Sequence, residues 1–150
     1  MNLLDILTKE VIAVPLASCD KISAIRELVQ LLKKSGQVSD EDQVYDAVMI
    51  REAKGSTGLE KGNAVPHART TAVKKIAAAI GIAPNGIEFD SMDGKPAKLI
   101  FLIIAPPDQS GTHVALLSEI AHLTQYQGLI EELAAARSAD KVLSILQGEE

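Results

Sequence analysis

Three histidines and one arginine set into an apolar helical pattern are the residues whose types and positions invite chemistry. His67 follows Pro66, which lacks an N–H and biases Val65 towards extended geometry, while Gly58 and Gly62 let the preceding backbone turn tightly. The imidazole is therefore expected at a held position in a loop from Gly55 to Pro66, with a short extended piece leading into it. A neutral imidazole, with an unperturbed pKa of about 6.5, is a nucleophile near pH 7 without a separate strong base. A loop histidine satisfied by a neighbouring carbonyl is the alternative.

Arg51 puts a guanidinium on an inward helical stripe, where an arginine normally needs an anionic partner. A phosphoryl group would serve. So would a salt bridge to Glu52, Glu60 or another carboxylate, or snorkelling at the helix end. His113 opens a helix after a Gly-Thr pair, where unpaired N–H groups favour an anion. It could hydrogen-bond a phosphoryl oxygen or sit half-buried as a structural residue. His122 lies nine positions further on, about 180° round the same helix, so the two cannot share a ligand and His122 is expected to face solvent.

The elements that must position these groups follow one another at short intervals, without repeats or long linkers. Asp20 predicts a helix with Ile22, Ile25, Leu28, Val29 and Leu32 on one stripe, ending at Gly36. A second helix begins after Ser39 or Asp40 and carries Val44, Ala47, Val48 and Arg51 before Gly55. The apolar runs 76–82 and 99–104 read as buried strands, bounded by Pro84-Asn85-Gly86 and separated by the turn Asp93-Gly94. After Pro106-Pro107 a helix from about Thr112 presents His113, Leu116, Leu117 and Ile120, and a last one follows Ser138 with Val142, Leu143 and Leu146. The expected class is α/β: one domain over residues 1–150, with a central mixed sheet flanked by helices on both sides.

Composition removes several functions. The chain has 150 residues, a formal net charge of −5 with scattered basic residues, and no tryptophan. It therefore lacks both the basic face that nucleic acid requires and a stacking platform for bases or sugars. A single cysteine, Cys19, and the absence of paired Cys/His spacings exclude an internal disulfide and a zinc site and favour a reducing cytoplasm. The start Met1-Asn2-Leu3-Leu4-Asp5 is not a secretory signal, and the run 99–105 is far short of the ~20 residues of a membrane span. No membrane insertion is expected. The elbow of hydrolases, the Walker phosphate loop and a calcium loop are all missing.

Arg51-Glu52, Gly55-Ser56-Thr57-Gly58-Leu59 and Gly62-Asn63-Ala64-Val65-Pro66-His67 together resemble the active-site signature of the type-2 enzyme IIA family of the bacterial phosphotransferase system. The resemblance continues through Gly86-Ile87-Glu88-Phe89, Asp93-Gly94, the strand ending at Pro106, and Thr112-His113 with Leu117-Ser118. Asn63 stands where the family usually has an apolar residue, and Val114 where it usually has leucine. The resemblance implies a cytoplasmic phosphoryl carrier without metal or cofactor. His67 would accept phosphoryl from a histidine phosphocarrier protein, HPr or its nitrogen-branch paralogue, with Arg51 and His113 contacting the phosphate.

Pro107-Asp108-Gln109 with Thr112-His113, and the lack of a transporter or IIB segment in the chain, resemble the nitrogen-regulatory branch, which acts on a regulated target protein. The alternative is a fructose- or mannitol-type IIA that passes phosphoryl to a IIB protein during sugar uptake. A reading from another class is a protein-binding regulator that takes no phosphate. Target, sugar, oligomeric state and the phosphorylated imidazole nitrogen stay open at this level.

Overall fold

Asp20 and Asp40 begin the two helices that the apolar stripes predict. The computed structural model describes residues 3–126 and 128–148. Helix α1 (Lys21–Lys34) is capped by Asp20, whose side chain accepts the Ser23 N–H at 2.9 Å, and α2 (Glu41–Ala53) by Asp40, which accepts the Gln43 N–H at 3.1 Å. Such caps contribute about 1 kcal/mol each. Ala24, Ile25, Leu28, Val29 and Leu32 of α1 are buried. Ile22 is not: in the first turn it is 54% exposed and lines an open cleft beside Arg26 and Tyr45.

The inward row of α2 also differs from expectation. It runs Val44, Val48, Glu52, a strict i, i+4 row, and leaves Ala47 and Arg51 half-buried on its flank.

Among the described residues the sheet has five strands: β1 (Ile12–Ala13), β2 (Asn63–Ala64), β3 (His67–Arg69), β4 (Ala77–Ile87) and β5 (Ala97–Ala105). Their order is β1-β4-β5-β2, with β3 also on β5. The central pair β4/β5 is antiparallel; β1 runs parallel to β4, and β2 and β3 parallel to β5, so the sheet is mixed. Residues 77–83 and 99–105 are buried without interruption, which requires cover on both faces. Helix α1 packs on β4, and α3 (Ser110–Leu123) and α4 (Leu129–Ala134) pack on β5; α5 (Ala139–Gly148) packs against β1.

Pro84-Asn85-Gly86 does not end β4. The strand continues through it with a shift of register against β5 between Ile82 and Ile87, and Gly86 takes φ +81° there. The punctuation marks an irregularity, whereas Asp93-Gly94 does form the turn between the strands. Helix α3 starts two residues earlier than expected, directly after a 3-10 turn at Pro107–Gln109. Among the described residues no helix is long and apolar enough to cross a membrane.

Asn63 is fully buried on β2, and neither its amide nitrogen nor its amide oxygen has a hydrogen-bond partner among the described residues. A buried polar group left unpaired costs about 1–3 kcal/mol. Asn63→Val, apolar and suited to a strand, is therefore expected to raise stability by roughly that amount, read as a higher denaturation midpoint at unchanged slope.

Candidate functional site

Strands β2 and β3 are two pieces of one sheet edge. Asn63 and Ala64 pair with Leu99 and Ile100, and His67 pairs with Ile103, so the register runs on unbroken across Val65-Pro66. Pro66 has no N–H to give, which an edge strand tolerates, and its carbonyl still accepts the Ile103 N–H at 3.1 Å. His67 is consequently the first residue of a strand and not a loop residue, because pairing with β5 resumes directly after the proline.

The Val65 carbonyl, on the side of the strand away from β5, faces the imidazole. His67 Nδ1 lies 2.7 Å from that oxygen. A carbonyl can only accept, so the ring carries its proton at Nδ1 and leaves the lone pair at Nε2.

Val65 is itself held, since its N–H donates to the Thr57 carbonyl at 3.0 Å. Thr57 is fixed in turn by Glu52, which is 8% exposed and accepts both the Thr57 N–H, at 3.3 Å, and the Thr57 hydroxyl. Lys21 neutralises the carboxylate from α1 at 2.8 Å and lies 5.0 Å from the centre of the Phe89 ring. Gly58 completes the turn by close approach: a Cβ there would come within 2.6 Å of Ser91 Oγ and 2.9 Å of the Phe89 carbonyl. Sequence reasoning missed this brace. Its signal was the row Val44, Val48, Glu52, in which a carboxylate continues an apolar stripe and so needs a buried partner.

The structure brings His67, Arg51 and His113 together. They line one cleft of about 380 Å³ with Lys54, Arg69 and Leu117. A larger cleft of about 700 Å³ beside Lys61, Lys95 and Tyr126 contains none of the histidines. Arg51 Nη1 donates to the Gly55 carbonyl at 2.8 Å, and among the described residues the guanidinium pairs with no carboxylate, so the salt-bridge alternative falls away. His113, 3% exposed, sets its ring edge-on to that of His67 with 5.4 Å between centroids.

Arg69, also missed from sequence, donates from Nε to His113 Nδ1 at 3.4 Å. Strand alternation was its signal, because it stands two residues after His67 and shares that face. His122 is exposed, packs edge-on to Tyr126 at 5.9 Å and lies outside the cleft, as helical phase predicts.

Burial lowers the pKa of His67 first of all; its hydrogen bond to Val65 and the charge of Glu52 act the other way, and Arg51 and Arg69 push further down. His113 is lowered to about 4, by burial and then by His67 and Arg69. Both rings are neutral near pH 7. A bare imidazole nitrogen beside cations that have no carboxylate partners among the described residues is an arrangement for taking up an anionic electrophile.

The sequence model of the family described as "Phosphoenolpyruvate-dependent sugar phosphotransferase system, EIIA 2" matches residues 5–149. This chain belongs to that family. EIIA components of this type relay phosphoryl groups through a phosphohistidine, and the chain is a phosphoryl carrier of that system. It is 34% identical over 146 residues to the PTS system fructose-specific EIIABC component of Bacillus subtilis; the match covers 97% of this chain and 23% of that protein's length.

Among solved structures, the nitrogen regulatory protein IIA-Ntr from Neisseria meningitidis superposes with a TM-score of 0.88 at 31% identity, covering 96% of this chain and 98% of the other. The complex of enzyme IIA mannitol with phosphorylated enzyme IIB mannitol from Escherichia coli gives 0.80 at 28% identity, covering 95% and 97%. The fold of this EIIA chain is thus the α/β architecture of its family, as the sequence predicts.

The electrostatics have a direct readout. In an NMR titration His113 should stay neutral between about pH 5.5 and 8, and His67 should protonate only below its ordinary value of about 6.5. Protonation occupies the Nε2 lone pair, so the reactivity of His67 towards an electrophile should be flat above that midpoint and fall as acid passes through it. A His113 midpoint near 6.5 would contradict the burial described here.

Proposed function

We propose that His67 is the phosphoryl acceptor, that Arg51 and His113 stabilise the transferred group, and that the chain, residues 1–150 as one EIIA type-2 unit, works in the cytoplasm as a nitrogen-regulatory carrier. The observation that carries the site assignment is the His67 Nε2 lone pair in a cleft shared with an arginine that has no carboxylate partner among the described residues. Nε2 attacks the phosphorus of a phosphohistidine on a histidine phosphocarrier protein, HPr or its nitrogen-branch paralogue. One N–P bond forms as the other breaks, and the carrier's imidazole leaves with the electron pair. The His67 ring keeps its Nδ1 proton, and the Val65 carbonyl stabilises the positive charge that grows on it.

The surroundings suit a protein donor. Ile50, 63% exposed, lines the cleft, and Val114, 54% exposed, adjoins His113, offering apolar contact around a polar centre. The regulatory branch is supported by the run Pro107-Asp108-Gln109 with Thr112-His113 and by the closer superposition on IIA-Ntr than on the mannitol IIA. A fructose- or mannitol-type IIA that hands phosphoryl to a IIB protein is the second reading, favoured by the identity to the fructose-specific relative. Rapid discharge by a IIB protein would select it; slow discharge, with loading from the nitrogen-branch carrier, would select the first.

Reconstitution with phosphoenolpyruvate, enzyme I and each phosphocarrier tests the site. The wild type should gain one acid-labile phosphoryl group by mass, His67→Ala none, and His122→Ala should load normally. Arg51→Ala should load roughly 10²–10³ times more slowly, as expected for loss of one positioned charge-stabilising donor, and Arg51→Lys at an intermediate rate. Labelling of His67→Ala would exclude the assignment, and a normal rate in Arg51→Ala would make that residue structural.

A further inference from the structure

We propose that Arg69 is a positioning residue: its hydrogen bond to His113 Nδ1 holds that ring in the tautomer whose Nε2–H points a donor at the phosphoryl site. The inference rests on the reading of His67 as acceptor. Guanidinium nitrogens have no lone pair to offer, so in the contact between Arg69 Nε and His113 Nδ1, at 3.4 Å, the arginine donates and Nδ1 is bare. A neutral imidazole then carries its proton at Nε2.

That Nε2 is buried, belongs to a residue only 3% exposed, and has no partner among the described residues. It sits on a ring edge-on to His67, in the cleft that Arg51 also lines. A buried N–H without a partner is what a site for an incoming oxygen anion would display.

The two histidines are thereby set in opposite tautomers by different neighbours. The Val65 carbonyl places the His67 proton at Nδ1 and bares the attacking Nε2. Arg69 bares His113 Nδ1 and protonates the nitrogen that meets phosphate. In the other tautomer of His113 an N–H would oppose the Arg69 N–H, and a lone pair would face the phosphoryl oxygens; both contacts are repulsive. Strand geometry makes the link local, since His67 and Arg69 alternate onto the same face of β3.

The test separates hydrogen bond from charge. Glutamine places an amide N–H where arginine has Nε–H, without the charge, and methionine fills the same length with no donor. Long-range ¹H–¹⁵N spectra should show His113 as the Nε2–H tautomer in the wild type and in Arg69→Gln, and as a mixture in Arg69→Met. Both variants lose the same charge, so loading of His67 should be roughly tenfold slower in Arg69→Met than in Arg69→Gln, the scale of one lost hydrogen bond. An Nδ1–H tautomer of His113 in the wild type would overturn the proposal, as would an unchanged tautomer in Arg69→Met or equal loading rates in the two variants. The spectra are read on unphosphorylated protein, so failure of His67 to load at all would refute the acceptor assignment without being mistaken for a failure of the Arg69 link.

Discussion

The hydrogen bond from His67 Nδ1 to the Val65 carbonyl is the contact on which the rest of the site depends. It selects the tautomer, orients the ring and leaves one nitrogen free to react. It exists because Val65 lies on the outer side of the edge strand, its N–H bonded to the Thr57 carbonyl and its own carbonyl outside the ladder with β5, while Pro66 and His67 stay in register with Ile103. Without the pairing of β3 to β5 the imidazole would have no fixed platform. Behind Val65 stand Thr57, then Glu52, then Lys21, so an ion pair between two helices, its carboxylate buried, is tied to the position of the imidazole.

Around that contact the electrostatics balance opposing demands. As the proposed acceptor His67 must be neutral, and burial lowers its pKa, with Arg51 and Arg69 acting the same way and Val65 and Glu52 countering the shift. The same cations suit an anionic phosphoryl group. His113 is kept neutral more firmly still, its pKa lowered to about 4, and in the proposed Nε2–H tautomer it can bond an oxygen without carrying charge. In the proposed transfer charge stabilisation falls chiefly to Arg51, whose C-terminal place on α2 lets it hold the Gly55 carbonyl while keeping donors for a ligand.

Much of the framework was legible because it is written locally. Asp20 and Asp40 cap helices whose apolar rows follow at helical spacing, and the runs in β4 and β5 are long enough to be read without partners. The two-residue strands β1 and β2 and the short α4 carry too few residues for periodicity to register, and they form through long-range pairing and packing. The segment before His67 reads as a loop because glycines and a proline dominate it; its strand character comes from β5, which local propensity cannot see. At the site, His67, Arg51 and His113 stood out by type and by resemblance to the family signature. Glu52 was hidden by its neighbour: adjacent helix residues diverge by about 100°, so Glu52 turns inward to Lys21 rather than pairing with Arg51. Arg69 was hidden because strand alternation had no strand to act on until β3 was recognised.

The most direct test of the central claim is the linkage of the phosphohistidine itself. Wild-type protein loaded by the phosphocarrier and uniformly labelled with ¹⁵N would be examined by long-range ¹H–¹⁵N correlation and by phosphorus coupling to the ring nitrogens of His67. The expected result is phosphorus on Nε2 with a proton retained on Nδ1, still donated to the Val65 carbonyl. Phosphorus on Nδ1 would contradict it, because that nitrogen could then not be the one held by Val65, and the tautomer assigned to His67 would be wrong.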